Sequence, residues 1–392
     1  MEEWKKYHIG DICESVSETY RRKSDKVVLV NTSDVLDGVC LNHSFVENKD
    51  LKGQFKKTFR NNDILYSEIR PANKRFAFID FDPTDYVAST KLMVIRSSEL
   101  VRPRYLFHFL KRQEMLDELQ AIAESRSGTF PQITFSELSL FEISLPSLET
   151  QDRIVAAIDA FENKIALNNR INHNLEEQAQ ALYKSWFVDF EPFRDSKFVD
   201  SEFGMIPEGW RVGTLSEIAD ITMGQSPSGR SFNEDGKGII FYQGRTEFGF
   251  RFPSIKLFTT EPTRFSDANS ILMSVRAPVG DINISNHRCC IGRGLASIKS
   301  KTKSYSFLLY TVKSKKEELD MYNGEGTVFG SINRKELEGL NVLVPSRDVI
   351  NSFNSIVTPI DAKIEVLSDE ITNLQKQRDG LLPQLMSGNL IF

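Results

Sequence analysis

A few short stretches carry residue types that could perform chemistry. Gly224-Gln225-Ser226-Pro227-Ser228-Gly229-Arg230-Ser231 has the glycine spacing of a phosphate-cradling loop, with arginine in the lysine position. That loop works only where it opens a helix, whose N-terminal N–H groups hold the phosphates. Here Phe232-Asn233-Glu234-Asp235-Gly236 follows and reads as a turn, and no apolar strand ending in aspartate offers a magnesium ligand. Asp82-Pro83-Thr84-Asp85-Tyr86 has the outline of a loop that grips an amino group for methyl transfer. It lacks the second proline, and no Gly-rich cofactor loop follows a strand elsewhere, so an ordinary turn is expected. Glu162-Asn163-Lys164, with Asp152 or Asp159 nearby, has nuclease-like composition. Metal-dependent nuclease sites need carboxylates converging from a sheet, whereas these fall on outer positions of a helical pattern. His8, His43, His108, His173 and His287 show no i, i+4 pairing, and the four cysteines show no C-x-x-C spacing. No catalytic, cofactor-binding or metal residue is therefore assigned.

The organisation is more informative. A chain of 392 residues, 40% apolar and 26% charged, suggests two or three folded domains rather than disorder. No run of 18 apolar residues is present, and Met1-Glu2-Glu3-Trp4-Lys5-Lys6 has no secretory character, so a reducing cytoplasmic setting is expected. The net charge is −5. It is distributed as −1 over 1–147, −4 over 148–200, +2 over 201–346 and −2 over 347–392. Most basic side chains thus lie in two long segments, each followed by an acidic one.

Those segments are a duplication. Trp4–Ile12 aligns with Trp210–Ile218, Asp63–Pro71 with Ser270–Pro278, Gly128–Leu138 with Gly326–Leu337, and Leu145-Pro146-Ser147 with Val344-Pro345-Ser346. Between these anchors the halves hardly resemble each other, which reads as one scaffold carrying two different inserts. Apolar runs at 26–30, 76–79 and 238–242 predict strands, and helices are expected near 104–123 and 303–321.

After each Pro-Ser boundary comes a heptad ladder. The first is Ile154, Ile158, Phe161, Ile165, Asn168, Asn172, Leu175, Ala179, Leu182, Trp186. The second is Phe353, Val357, Ile360, Ile364, Leu367, Ile371, Leu374, Arg378, Leu381, Leu385. Steps of four and three over more than four heptads predict coiled-coil helices, each ~48 Å long over the ladder at ~1.5 Å per residue. Asn168 and Asn172 either fix register or mark a wet stretch. Glu162, Lys164, Asp361 and Lys363 fall at flanking positions suited to interhelical ion pairs. Pro359 should kink the second helix or mark its first stable turn, and Pro383 and Gly388 should close it. The expected fold is α+β, with two mixed α/β domains separated by two long antiparallel coiled-coil helices and related by a pseudo-twofold. The expected boundaries are 1–147, a helix at 148–190, a linker at 191–200, 201–346, and a helix at 347–392. Two dissimilar heads on a rigid spacer suit reading two separated patches of an extended polymer, since one turn of DNA rises ~34 Å.

Three segments make the chain resemble the specificity subunit of type I restriction-modification enzymes. They are Leu145-Pro146-Ser147-Leu148-Glu149-Thr150-Gln151-Asp152-Arg153-Ile154, Tyr183-Lys184-Ser185-Trp186-Phe187-Val188-Asp189-Phe190-Glu191-Pro192-Phe193 and Gly204-Met205-Ile206-Pro207-Glu208-Gly209-Trp210. The ending Leu381-Leu382-Pro383-Gln384-Leu385-Met386-Ser387-Gly388 is similar too, whereas Arg347-Asp348-Val349-Ile350-Asn351 lacks the usual Glu-Gln pair. The resemblance implies two target-recognition domains, each reading half of a bipartite double-stranded DNA site. It implies helices that space them and dock two methyltransferase subunits. Those subunits would bring S-adenosylmethionine, a restriction (motor-nuclease) subunit would bring ATP and magnesium chemistry, and this chain would hold no cofactor and meet no membrane.

Arg and Lys reach phosphates, and Arg, Asn and Gln can read base edges. On that basis the DNA-contact candidates in the first domain are Lys56, Lys57, Arg60, Lys74, Arg75, Lys91, Arg126, Thr129 and Gln132. In the second they are Arg230, Gln243, Arg245, Arg251, Arg264 and Arg293. The competing reading is a non-catalytic coiled-coil adaptor presenting two protein-binding domains, which the net charge favours slightly.

Overall fold

Lys26–Val30 and Leu92–Ser97 open on β-branched and aliphatic runs without a helical period, and both form strands. The computed structural model describes residues 4–22, 24–48, 53–125, 131–324 and 330–387. It divides into Met1–Ile165 with Leu374–Phe392, and Ala166–Asn373.

In the first unit, Cys13–Val16, Leu92–Ser97, Ile64–Ser67 and Phe76–Phe78 make an antiparallel sheet in that order. A second sheet runs Val46–Glu47, Lys26–Val30, Tyr86–Ser89, Phe55–Lys57, with its two middle strands parallel. Lys5–His8 pairs with Glu142–Leu145 and draws the ends of the globular part together. Helix Pro103–Leu110, started by a proline in its first turn, and helix Gln113–Ser125 share one core with the first sheet. The second unit repeats this plan. Ala219–Met223, Leu295–Ser300, Ser270–Ser274 and Ile282–Ser285 form the first sheet, and Arg211–Thr214 pairs with Asn341–Val344. The other sheet is five-stranded and again contains one parallel pair, Ile239–Tyr242 with Cys289–Ile291. The duplication therefore reaches into the stretches that look unrelated in sequence. Strand formation needs only apolar character in the right alternation, so residue identity drifted while topology stayed.

The two ladders become helices Leu148–Phe187 and Arg347–Met386. Pro359 does not break the second helix, and neither does Pro383. Pro359 is exposed, so the carbonyl it frees one turn earlier, on exposed Ser355, can meet water. Gly388 lies outside the described residues. Each long helix contributes one part to each unit. In the first unit Ile154 and Ile158 pack in one core with Leu382, Leu385 and Met386. In the second, Ala179, Tyr183 and Phe187 pack with Phe353 and Val357.

The buried seam departs from strict heptads. Ile154, Ile158, Ile165, Asn168 and Asn172 are buried, as are Phe353, Val357, Ile364 and Leu367. Phe161, Leu175, Leu182, Ile360, Ile371, Leu374 and Leu381 are only half-buried. Past Asn172 the buried set becomes Glu176, Ala179, Tyr183 and Phe187, and near the end of the second helix it becomes Leu382, Leu385 and Met386. A straight helix drifts ~20° per heptad against a 3.5 repeat, and here the drift turns the stripe toward the globular parts. The aromatic run at 183–193 explains itself in this way. Phe187 meets Phe307 and Phe353 at ring-centroid distances of 5.1 and 5.0 Å, and Phe193 meets Trp210 at 4.8 Å. No described helix is long and apolar enough to cross a membrane.

Candidate nucleic-acid interface

Placed in the fold, the candidate contacts separate by what their side chains already bind. In the first domain Lys57 donates to the carbonyls of Thr90 and Leu92 at 3.1 and 2.7 Å, and Arg75 to those of Ser33 and Val35 at 3.1 and 3.4 Å. Both are backbone braces. Arg60 pairs with Glu18 at 3.1 Å, and Lys91 reaches Glu68 at 3.6 Å and Gln132 at 3.2 Å. Lys56 is exposed, and Lys74 is half-exposed in the left-handed region at φ 53°. Arg126 and Thr129 lie outside the described residues.

In the second domain Arg245 is paired with Asp281. Arg230, Gln243, Arg264 and Arg293 are exposed. Arg251 requires correction: it is 3% exposed and cannot reach a phosphate. Its guanidinium binds Asp361 at 2.9 Å, Tyr310 Oη at 3.0 Å, and Glu176. Burial would make the Glu176 carboxyl harder to ionise, but Arg251 and Lys313 together hold it below the usual range. Gln225, not singled out from the sequence, stands exposed beside Gln243 and Arg293 on adjoining loops. Its signal lies in the glycine-rich stretch that also carries Arg230. That stretch forms a three-residue 3-10 turn at Gly229–Ser231 followed by a strand, not the helix a phosphate loop needs.

The flanking charges also behave differently from the expectation. Glu162 pairs with Lys111 and lies 3.6 Å from Arg104, while Asp159 accepts from His108 Nε2 at 2.9 Å and Arg104 at 3.1 Å. Glu162 reaches Arg378 only at 4.0 Å. Asp361 binds Arg251 at 2.9 Å and Tyr310 Oη at 2.8 Å. These carboxylates chiefly grip helices Pro103–Leu110 and Tyr305–Ser314 and their ends, where Lys111 and Lys313 each follow their partner, His108 or Tyr310, by three residues. His108, Asp159 and Glu162 bring ligand atoms within 4.8 Å of one another, a grouping hidden in sequence because His108 stands 51 residues before Asp159. Arg104, Lys111 and Arg378 already supply the positive charge there, so a dication would face repulsion. Burial first, and Lys111 second, keep His108 below its usual pKa.

The arrangement offers two similarly built heads, with exposed cationic and amide groups in divergent loops and carboxylate clamps on the long helices. The sequence matches the family described as Type I restriction modification DNA specificity domain at residues 1–177 and again at 207–376. It is 32% identical to the Type I restriction enzyme HindI specificity subunit of Haemophilus influenzae, covering 100% of both chains. It is 27% identical to the Type I restriction enzyme MjaIX specificity subunit of Methanocaldococcus jannaschii, covering 73% of this chain and 68% of that one. The fold is similar to the crystal structure of the type I restriction-modification system S subunit from M. genitalium. That similarity has a TM-score of 0.57 and 17% identity, over 98% of this chain and 96% of that one.

Proposed function

Because the chain belongs to the type I restriction-modification DNA specificity family, we propose that it is the non-catalytic, DNA-reading subunit of a methyltransferase/endonuclease complex. Residues 1–147 and 201–346 are two target-recognition domains, each reading one half of a bipartite, asymmetric site in double-stranded DNA. The observation that carries this reading is one topology built twice with different polar loops. A common scaffold sets equivalent poses, and divergent loops give each half-site its own sequence.

Helices 148–187 and 347–386 pair antiparallel and space the two heads. The first residues of one and the last of the other share a core in the first unit, and the converse ends share one in the second, which supports this pairing. Asn172 Nδ2 donates to Ser368 Oγ at 3.3 Å, a polar link suited to fixing register. Exposed faces of these helices dock two methyltransferase subunits, which carry S-adenosylmethionine, and a restriction subunit carries ATP and magnesium chemistry.

The test is binding of the full chain, assembled with its methyltransferase subunits, to genomic DNA fragments over a salt series. A DNA reader loses affinity steeply, by ~0.9 log units per released phosphate contact for each log unit of salt. Salt-independent association, or none, would favour a protein adaptor.

A further inference from the structure

In the second domain, four loop segments are stitched into one exposed junction. Gly224 N donates to Leu295 O at 2.9 Å, Gln225 N to Ile291 O at 3.0 Å, and Gly292 N to Tyr242 O at 2.8 Å. Arg293 N donates to Ser226 Oγ at 3.2 Å, and Ile291 N to Arg264 O at 2.9 Å. The segments approach so closely that a Cβ on Gly292 would lie 2.8 Å from the Gln243 carbonyl oxygen, and one on Gly294 3.0 Å from it. Glycine at 292 is therefore a packing requirement, and the junction is a fixed platform rather than a set of independent loops.

This platform presents Gln225, Gln243 and Arg293, with Arg264 beside them, all exposed. Among the described residues none of these side chains has an intramolecular hydrogen bond or ion pair. Arg245, two positions from Gln243, is neutralised by Asp281. The fixed backbone sets where these planar heads start, and their unused donors and acceptors are available to an external planar target once binding orders the side chains. Glutamine matches the N6/N7 edge of adenine and arginine the O6/N7 edge of guanine, so both head types favour purines in the major groove.

We propose that Gln225, Gln243 and Arg293 read purine major-groove edges in the half-site of the second domain, Arg293 taking a guanine and Arg264 an adjoining phosphate. This rests on the DNA-reading function above and adds the base class and the residues. The experiment uses the full chain with its methyltransferase subunits, and DNA carrying the motif found by sequencing methylated host DNA. Arg293→Ala should weaken binding to that motif by about tenfold or more and relax one guanine position in one half-site. Arg293→Lys, which keeps the charge but loses the fork, should not restore discrimination. Replacing that guanine with 7-deazaguanine should weaken the wild type and leave Arg293→Ala unaffected. Gln243→Ala should relax an adenine in the same half-site. A folded, DNA-binding Arg293→Ala and Gln243→Ala pair with unchanged motifs and unchanged 7-deazapurine response would overturn the assignment. A wild-type complex with no sequence-dependent binding would instead overturn the function it rests on.

Discussion

Four of the six arginines between positions 245 and 293 meet three different fates. Arg245 is ion-paired at the surface, Arg251 is buried against Glu176 and Asp361, and Arg264 and Arg293 are exposed without partners among the described residues. Residue type was legible in the sequence, but partnership was not. Glu176 and Asp361 stand 75 and 110 positions from Arg251, beyond any local spacing rule. Arg251→Ala leaves the Glu176 carboxylate buried and the Asp361 carboxylate half-buried without their shared cation, so it should cost about 3–5 kcal/mol of stability. The methylated motif should stay unchanged, as denaturant unfolding and methylation sequencing would show. The first-domain clamp makes a pH prediction. His108 is held below its usual 6.5, so the unfolded chain takes up the proton first, and stability is lost as pH falls from about 6.5 toward the folded value. Asp159 and Glu162 are also lowered, because His108, Arg104 and Lys111 outweigh the effect of burial. Their contribution is complete above the ordinary carboxylate range of 3.8–4.5 and is lost as pH falls through their folded values. His108→Gln should therefore remove the part of the fall in urea midpoint that begins below about pH 6.5 and leave the carboxylate-dependent loss at lower pH.

At the scale of elements, the long helices were the most legible feature and their contacts the least. A repeat of fours and threes reveals a helix and an apolar stripe, yet it does not reveal what the stripe faces as it drifts. Tyr183 and Phe187, rather than Leu182 and Trp186, are the more deeply buried pair because the globular part of the second unit supplies Phe307 and Thr311 there. Phe187→Ala should consequently destabilise the second unit by about 3–5 kcal/mol, seen as a lowered thermal midpoint. Asn168 is fully buried, and neither polar atom of its amide has a partner among the described residues. Asn168→Leu should stabilise by about 1–2 kcal/mol, raising the midpoint by roughly 2–4 °C per kcal/mol. A lowered midpoint would assign Asn168 a hydrogen-bonded role in register instead.

For the whole molecule, the duplication of 1–147 and 201–346 was readable from a handful of anchors such as Asp63–Pro71 and Ser270–Pro278. The parallel strand pairs Lys26–Val30 with Tyr86–Ser89 and Ile239–Tyr242 with Cys289–Ile291 were not readable, because their residues share burial rather than identity. Which loops adjoin was equally hidden, since Gln225 and Ile291 meet across 66 positions only through folding. Twice-built topology with divergent loops makes each head an independent reader, and domain exchange tests that claim most directly. Residues 1–147 are replaced by the corresponding domain of another specificity subunit, and the chimera is expressed with the methyltransferase subunits. Methylated DNA is then sequenced. One half of the bipartite motif should change while the other half and the gap between them stay as in the parent. A motif altered in both halves, or unaltered, would contradict the account.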